Sequence, residues 1–270
     1  MNKRLAGRLM SLLTLALILV ADLIVSYSLI FTWYPSKFGS LGLSPLGLFI
    51  FLLYQLSVSL SVISHFKCMF TDPGKTPKYP VPGDIPLENV KYCADCEQWK
   101  PPRTHHCRTC KICYHKMDHH CPWVNNCIAV NNQKYFILFL FYISFASLLT
   151  LIIIGMTIYE YLCYEGSVRF DVMKCFFTVL VGFEAIIFLI FTGDFLREQL
   201  QLVLDNQTTV ESYQDRYGIP HSVIKCLSEV LGKNSWMWLL PVSPSIDINY
   251  LEPCYSYEER MEMLGKSRKD

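Results

Sequence analysis

Four stretches of the chain are almost wholly apolar: Leu9 to Tyr34, Leu43 to Phe66, Tyr135 to Tyr159 and Cys175 to Leu196. Each meets the roughly 20 residues an α-helix needs to cross the hydrocarbon core of a bilayer. Between the second and third the pattern breaks. Thr71 to Pro86 carries five prolines and two glycines, which disfavours a helix and reads as a turn-rich strap leaving the membrane. From Cys93 to Cys127 the chain is polar, with too few apolar residues for a core. The pattern predicts an α-helical integral membrane protein of four transmembrane helices, with a cysteine-rich domain between helices 2 and 3. The expected boundaries are 1–66, 67–134, 135–196 and 197–270.

Composition agrees with a membrane protein. Of 270 residues 52% are hydrophobic, and the net charge of +1 excludes a basic nucleic-acid binder or an acidic tail protein. The mean hydropathy is +0.27. Lys3, Arg4 and Arg8 could open a cleaved leader, but the apolar run exceeds an h-region of about 7 to 15 residues and lacks a clear small-x-small site. A retained helix is expected.

Lys and Arg set the orientation. The N-terminus carries three, the central polar segment ten and the C-terminal tail eight, against one in the loop around Lys37 and two between Glu160 and Lys174. Both ends and the cysteine-rich segment are therefore expected in the cytosol, where thiols stay reduced. A glycan on Asn206-Gln207-Thr208 would invert this topology. Asp22 and Glu184 fall inside apolar stretches, where an interhelical hydrogen bond is the expected reading and a place in an acyl cavity the alternative. Asp194 is expected at the interface.

Seven of the twelve cysteines and five of the seven histidines lie between Cys93 and Cys127. That density asks for metal. Structural zinc takes four tetrahedral Cys and His ligands, often entered through Cys-x2-Cys knuckles. Cys93/Cys96 and Cys107/Cys110 are two such knuckles. His105, His106, Cys113, His115, His119, His120, Cys121 and Cys127 compete for the four remaining places, so some stay free. A free His119 and Cys121 would suit a base and a nucleophile.

Asp118-His119-His120-Cys121 in this frame resembles the Asp-His-His-Cys protein S-acyltransferases, the palmitoyltransferases. Further landmarks fall in the family's order: Asp72-Pro73-Gly74, Asn132, Phe136 and Thr208-Thr209-Val210-Glu211. The resemblance implies two structural zinc ions, one on Cys93, Cys96, His106 and Cys113, the other on Cys107, Cys110, His120 and Cys127. It leaves Cys121 as nucleophile, His119 as base and Asp118 as its orienter. His105 and His115 are left over, His115 as a solvated histidine.

The implied reaction is two-step transfer of a long-chain acyl group from acyl-CoA, through Cys121, to cysteines of membrane-associated proteins. The bilayer has a physical role, since each methylene kept from water gains about 0.8 kcal/mol. Ser144, Ala146 and Ser147 are candidates for the acyl-chain path, with ordinary small-residue packing as the alternative. Lys100, Arg103 and His105 are candidate partners for the CoA phosphates.

In the tail, Thr208 to Glu211 is expected to brace the catalytic loop or to cap a helix. Cys226 stands where the family usually has an asparagine, which bears on tail packing, while Trp236 to Pro241 forms an apolar patch suited to a membrane surface. Lys266 and Arg268 faintly resemble an endoplasmic-reticulum retrieval signal, and an endoplasmic-reticulum or Golgi location is expected. Cys68, juxtamembrane, is a candidate for acylation; Cys163, Cys175, Cys226 and Cys254 are expected as free thiols. Of two rival classes, a non-catalytic zinc adaptor and a membrane-anchored ubiquitin ligase, the adaptor would have no need for an unliganded Cys121 beside His119. The ligase arrangement closes on a Cys-x2-Cys pair, whereas Cys127 stands alone.

Overall fold

The structure is a computed structural model describing residues 3–27, 45–76, 91–163, 172–250 and 252–265. The loop around Lys37, the end of the first apolar stretch at Tyr34, the strap beyond Thr76, Lys266, Arg268 and the side chain of Cys163 lie outside the described residues. Four long helices follow the four apolar runs: α1 (Lys3–Ile24), α2 (Pro45–Phe70), α3 (Gln133–Cys163) and α4 (Val172–Leu204). Among the described residues, Leu5–Tyr27, Pro45–Phe70, Gln133–Tyr159 and Val172–Leu204 are long and apolar enough to cross a membrane. Their outward surface is apolar too: Leu23, Val179, Phe183 and Ile190 are each more than 60% exposed, as suits helices facing lipid.

The chain divides into two compact units, one comprising Leu12–Ile63 with Phe139–Leu196, the other Met1–Ser11, Ser64–Leu138 and Arg197–Asp270. The first of these is apolar apart from a few polar ties. Gln55 Nε2 donates to Asp22 Oδ1 at 2.6 Å and to Ser26 Oγ at 2.8 Å, so Asp22 is spent on the expected interhelical hydrogen bond. Ser144 and Thr192 join hydroxyls at 2.6 Å across α3 and α4. Glu184, Ala146 and Ser147 line a small cavity with Tyr54 and Thr150.

The other unit holds three two-stranded antiparallel hairpins: β1 (Lys91–Cys93) with β2 (Gln98–Lys100), β3 (Thr104–Cys107) with β4 (Ile112–His115), and β5 (His119–Cys121) with β6 (Asn126–Ile128). Each repeats one plan. A cysteine ends the first strand, paired across the hairpin with the residue five positions on: Cys93 with Gln98, Cys107 with Ile112, Cys121 with Asn126. The turn closes through a left-handed residue, Glu97, Lys111 or Asn125, with φ of 50°, 57° and 49°. The second knuckle position holds Cys96 in the first turn and Cys110 in the second. In the third it holds Val124, fully buried.

The apolar cluster within these hairpins is small, consisting of Cys107, Tyr114, Met117, Cys127 and Ala129. The turn of Asp72-Pro73-Gly74 fastens them to α2. Asp72 Oδ1 accepts from the Gly74 and Lys75 amides, while the Gly74 carbonyl accepts from His115 and Thr76 donates to Cys113. A side chain at Gly74 would run into Val130 at 2.6 Å, and its φ of +112° also favours glycine. After α4 come α5 (Thr209–Ser212), β7 (Arg216–Tyr217), α6 (Val223–Leu231), β8 (Tyr255–Ser256), paired with β7, and α7 (Tyr257–Met263). Cys226 is buried, its thiol 3.5 Å from the Leu204 carbonyl, so the tail packs here around a weak donor.

Candidate active site and metal centres

The hairpin plan places the ligands. Just before each terminal cysteine stands Tyr92, His106 or His120, paired across its hairpin with Trp99, Cys113 or Cys127. The knuckle of one hairpin meets this cross-strand pair of the next. Cys93 and Cys96 thus meet His106 and Cys113, and Cys107 and Cys110 meet His120 and Cys127, each set with its ligand atoms within 4.8 Å. In the first hairpin the corresponding pair, Tyr92 and Trp99, is an aromatic edge contact at 5.2 Å. The third knuckle, Cys121 with Val124, has no later hairpin to serve. Cys121 is left outside both clusters by position.

The spacing suits a tetrahedral metal. Bonds of about 2.3 Å to sulfur and 2.05 Å to nitrogen imply S···S near roughly 3.8 Å and S···N near roughly 3.6 Å. His106 Nδ1 lies 3.5, 3.2 and 3.8 Å from the sulfurs of Cys93, Cys96 and Cys113. His120 Nδ1 lies 3.7, 3.4 and 3.5 Å from those of Cys107, Cys110 and Cys127. The outer nitrogen of His106 faces Asp95 at 3.4 Å, the kind of contact that orients a metal-binding imidazole.

A third group, His221, Glu229 and Glu252, is equally close, but Lys116 Nζ occupies the cation's place, 2.7 Å from Glu252 and 3.7 Å from Glu229. It is an ion-pair network.

Asp118, His119 and Cys121 form a relay. Asp118 Oδ2 lies 2.7 Å from His119 Nδ1, and the Asp118 side chain is fully buried. His119 also lies close enough to Cys121 for the two side chains to interact, and it packs on the edge of Phe136 at 5.2 Å. Burial alone would lower the pKa of His119, but the hydrogen bonds and charges of Asp118 and Cys121 raise it to about 10. Burial likewise opposes the charge on Asp118, and its hydrogen bonds from His119 and the Thr209 amide hold the carboxyl below its ordinary value. Together these neighbours favour the protonated imidazole of His119.

Neighbouring elements hold the relay. His65, near the end of α2, donates to the Trp123 carbonyl at 3.0 Å. Asn126 Nδ2 lies 3.0 to 3.1 Å from the carbonyls of Cys68, Met69 and Thr71, the open end of α2. Asn132 Nδ2 donates to the carbonyls of Cys68 and Cys127. On the other side, the Thr209 amide donates to Asp118 Oδ1 at 2.7 Å and Gln199 Nε2 to Oδ2 at 3.0 Å. Thr208 and Glu211 also form a capping box, so this motif both caps its helix and contacts the relay.

Several sequence expectations need correction. Arg103 cannot serve CoA phosphates, because all its donors are used: Nε and Nη2 reach Glu211, Nη1 reaches Asn206 and Glu252, and Nη2 also reaches the Asn206 carbonyl. His105 is a poor candidate too, since its partial burial lowers its pKa and disfavours the charged form. His115 is fully buried against Tyr250 rather than solvated, its pKa pushed by burial to about 3. Cys68 has no exposed surface, so its thiol is not open to acylation in this fold. Asn206, bonded to Ile219 and Glu252 as well as Arg103, is no glycan acceptor in the folded chain on either side of a membrane.

Sequence reasoning missed Gln199 and the Arg103–Glu211 pair. Their partners lie 81 and 108 residues away, and no local pattern marks them.

The family model described as DHHC palmitoyltransferase matches residues 87–216. The rat protein named palmitoyltransferase ZDHHC3 is 39% identical over 176 residues, 59% of this chain and 57% of the relative. The Arabidopsis thaliana protein named probable protein S-acyltransferase 12 is 31% identical over 255 residues, 86% of this chain and 88% of the relative. The chain spans a little over half the length of the rat protein, and about nine-tenths of the plant one. The match over nearly the whole plant relative, with the relay and both ligand sets in place, makes this chain a member of the DHHC palmitoyltransferase family.

Proposed function

We propose that the protein is a protein S-acyltransferase that moves a long-chain acyl group, palmitoyl foremost, from acyl-CoA to cysteines of membrane-associated proteins. One observation carries the reading: a cysteine kept out of two metal-ligand sets lies beside a histidine whose Nδ1 is held by a buried carboxylate at 2.7 Å.

The two clusters each hold zinc, whose preference for Cys and His in tetrahedral geometry matches their donors. Zinc supplies scaffold only, and fixes the three hairpins to one another. Cys121 attacks the thioester carbonyl of acyl-CoA as thiolate, the reactive form. The bond to the CoA sulfur breaks, and His119 passes its proton to that sulfur. Neutral His119 then takes the proton of an incoming substrate thiol. The new thiolate attacks the acyl-enzyme and Cys121 leaves as thiolate, again paired with His119. One thioester replaces another, so the exchange is close to balanced and needs no further cofactor. Asp118 holds His119 in one tautomer throughout. Lys100, half-buried on β2, is the one cation of the expected three left for CoA phosphates.

The Lys and Arg distribution supports a multi-pass protein with its hairpins in the cytosol, and we place it in the endoplasmic reticulum or Golgi on the weak tail resemblance at Lys266 and Arg268 alone. The test is incubation of the purified full chain with labelled palmitoyl-CoA, comparing wild type with Cys121→Ser and measuring metal in both. Hydroxylamine-sensitive label on wild type alone, with about two zinc ions per chain in each, is expected. Label persisting in the variant with zinc intact would move the nucleophile to another cysteine.

A further inference from the structure

We infer that Gln199 is a positioning residue for acyl transfer, fixing the plane of the Asp118 carboxylate and through it the direction of the His119 ring. The inference rests on the S-acyltransferase reading and deepens it. Gln199 lies in the part of α4 that runs beyond the apolar stretch, and only 2% of it is exposed. Its Nε2 donates at 3.0 Å to Asp118 Oδ2, the same oxygen that meets His119 Nδ1 at 2.7 Å. The other carboxylate oxygen is taken by the Thr209 amide at 2.7 Å.

The direction of the amide follows from chemistry. An ionised carboxylate only accepts, so the nitrogen end of Gln199 faces Asp118. This leaves Oε1 buried without a hydrogen-bond partner among the described residues. An orphaned buried acceptor works against the fold, and an apolar side chain of similar volume would avoid it, as buried Leu202 and Val203 do nearby. Packing therefore does not account for an amide here. Its donor does.

The geometry gives that donor a task. Thr209 holds the carboxylate through both its amide and its side chain, while Oδ2 would have His119 alone without Gln199. A second donor on Oδ2 opposes rotation of the carboxylate about its Cβ–Cγ bond. The imidazole follows the carboxylate, and its far nitrogen must meet Cys121. Small errors of angle at Asp118 thus become errors of distance at the sulfur, where a misplacement of about 1 Å can cost roughly a hundredfold in rate.

The experiment uses the full-length protein and single-turnover self-acylation at varied palmitoyl-CoA concentration, with zinc content and melting temperature measured alongside. Gln199→Met keeps the volume and removes the donor; Gln199→His restores an N–H at the same number of bonds from the backbone. The Met variant is expected to lose roughly tenfold to a hundredfold in the saturating rate. Its half-saturating concentration, zinc content and melting temperature should hold, and the His variant should recover most of the rate. The inference is overturned if the Met variant acylates at the wild-type rate, if its loss follows falling zinc or melting temperature, or if the His variant does no better. Failure of the underlying reading looks different: wild type takes no label, or Cys121→Ser keeps it.

Discussion

Arg103 and Glu211, 108 residues apart in sequence, form a two-point ion pair at 2.7 and 2.8 Å in which both side chains are 1% exposed. The pair ties the turn before β3 to the helix whose first amide holds Asp118. Breaking one partner leaves an uncompensated buried charge, which costs about 3–5 kcal/mol. Arg103→Leu or Glu211→Leu should each show that loss in denaturant titrations and reduce self-acylation. The double variant should lose clearly less than the two together, and strict additivity would mean the pair is not coupled.

Gly218 sits where this network leaves no room. A methyl group there would fall 2.5 Å from Arg103 Nη1 and 2.6 Å from Asn206 Nδ2. Gly218→Ala should cost about 1–3 kcal/mol by overpacking, with a further loss of acylation as the Arg103 contacts shift. Unchanged melting and activity would show that the network yields.

Val124 keeps the third hairpin from becoming a metal knuckle. Val124→Cys would give Cys121 a neighbour at knuckle spacing, with His119 close by as a further ligand. The expected result is a zinc content above that of wild type and no self-acylation. Val124→Ala, which makes a cavity but no ligand, should keep the wild-type metal content. An active Val124→Cys protein with the wild-type zinc count would defeat this account.

Glu252 links acid sensitivity to the same network. Burial opposes its charge, but Arg103 and Lys116 outweigh that and bring its pKa from an ordinary 4.5 to about 2. A folded-state pKa below the unfolded value stabilises the protein fully above about pH 4.5, and the contribution is lost as pH falls toward 2. The stability gap between wild type and Glu252→Gln should therefore be widest near neutrality and shrink below pH 4.5. A gap that stays constant over that range would count against the assignment.

The sequence made the ligands and the relay legible because they are local. Cys-x2-Cys spacing, the His-Cys dipeptides and the run Asp118 to Cys121 fall within one short stretch, and zinc chemistry limits what they can do. The four helices were legible for a similar reason, since length and apolar composition suffice for a span. What misled the reading was charge without its partner. Arg103 looks like a free cation until Glu211 and Glu252 close on it, and Asn206 looks like a glycan acceptor until its amide is seen inside the fold. Gln199 stands among Glu198 and Gln201 in what reads as a solvated helix end, and only its contact with a loop 81 residues earlier separates it from them.

The sharing of the middle hairpin between both metals bears on how the chain can be made. A nascent chain extended through Cys110 but short of Cys113 already presents two complete knuckles, Cys93/Cys96 and Cys107/Cys110, which together satisfy a zinc ion with four sulfurs. That premature closure is wrong for both native centres, because neither takes all four. Reaching the native arrangement then requires ligand exchange, with His106 and Cys113 displacing the second knuckle before His120 and Cys127 can claim it. A chain that meets metal before Cys113 is made therefore has a four-sulfur alternative open to it that matches neither ligand set of the finished fold.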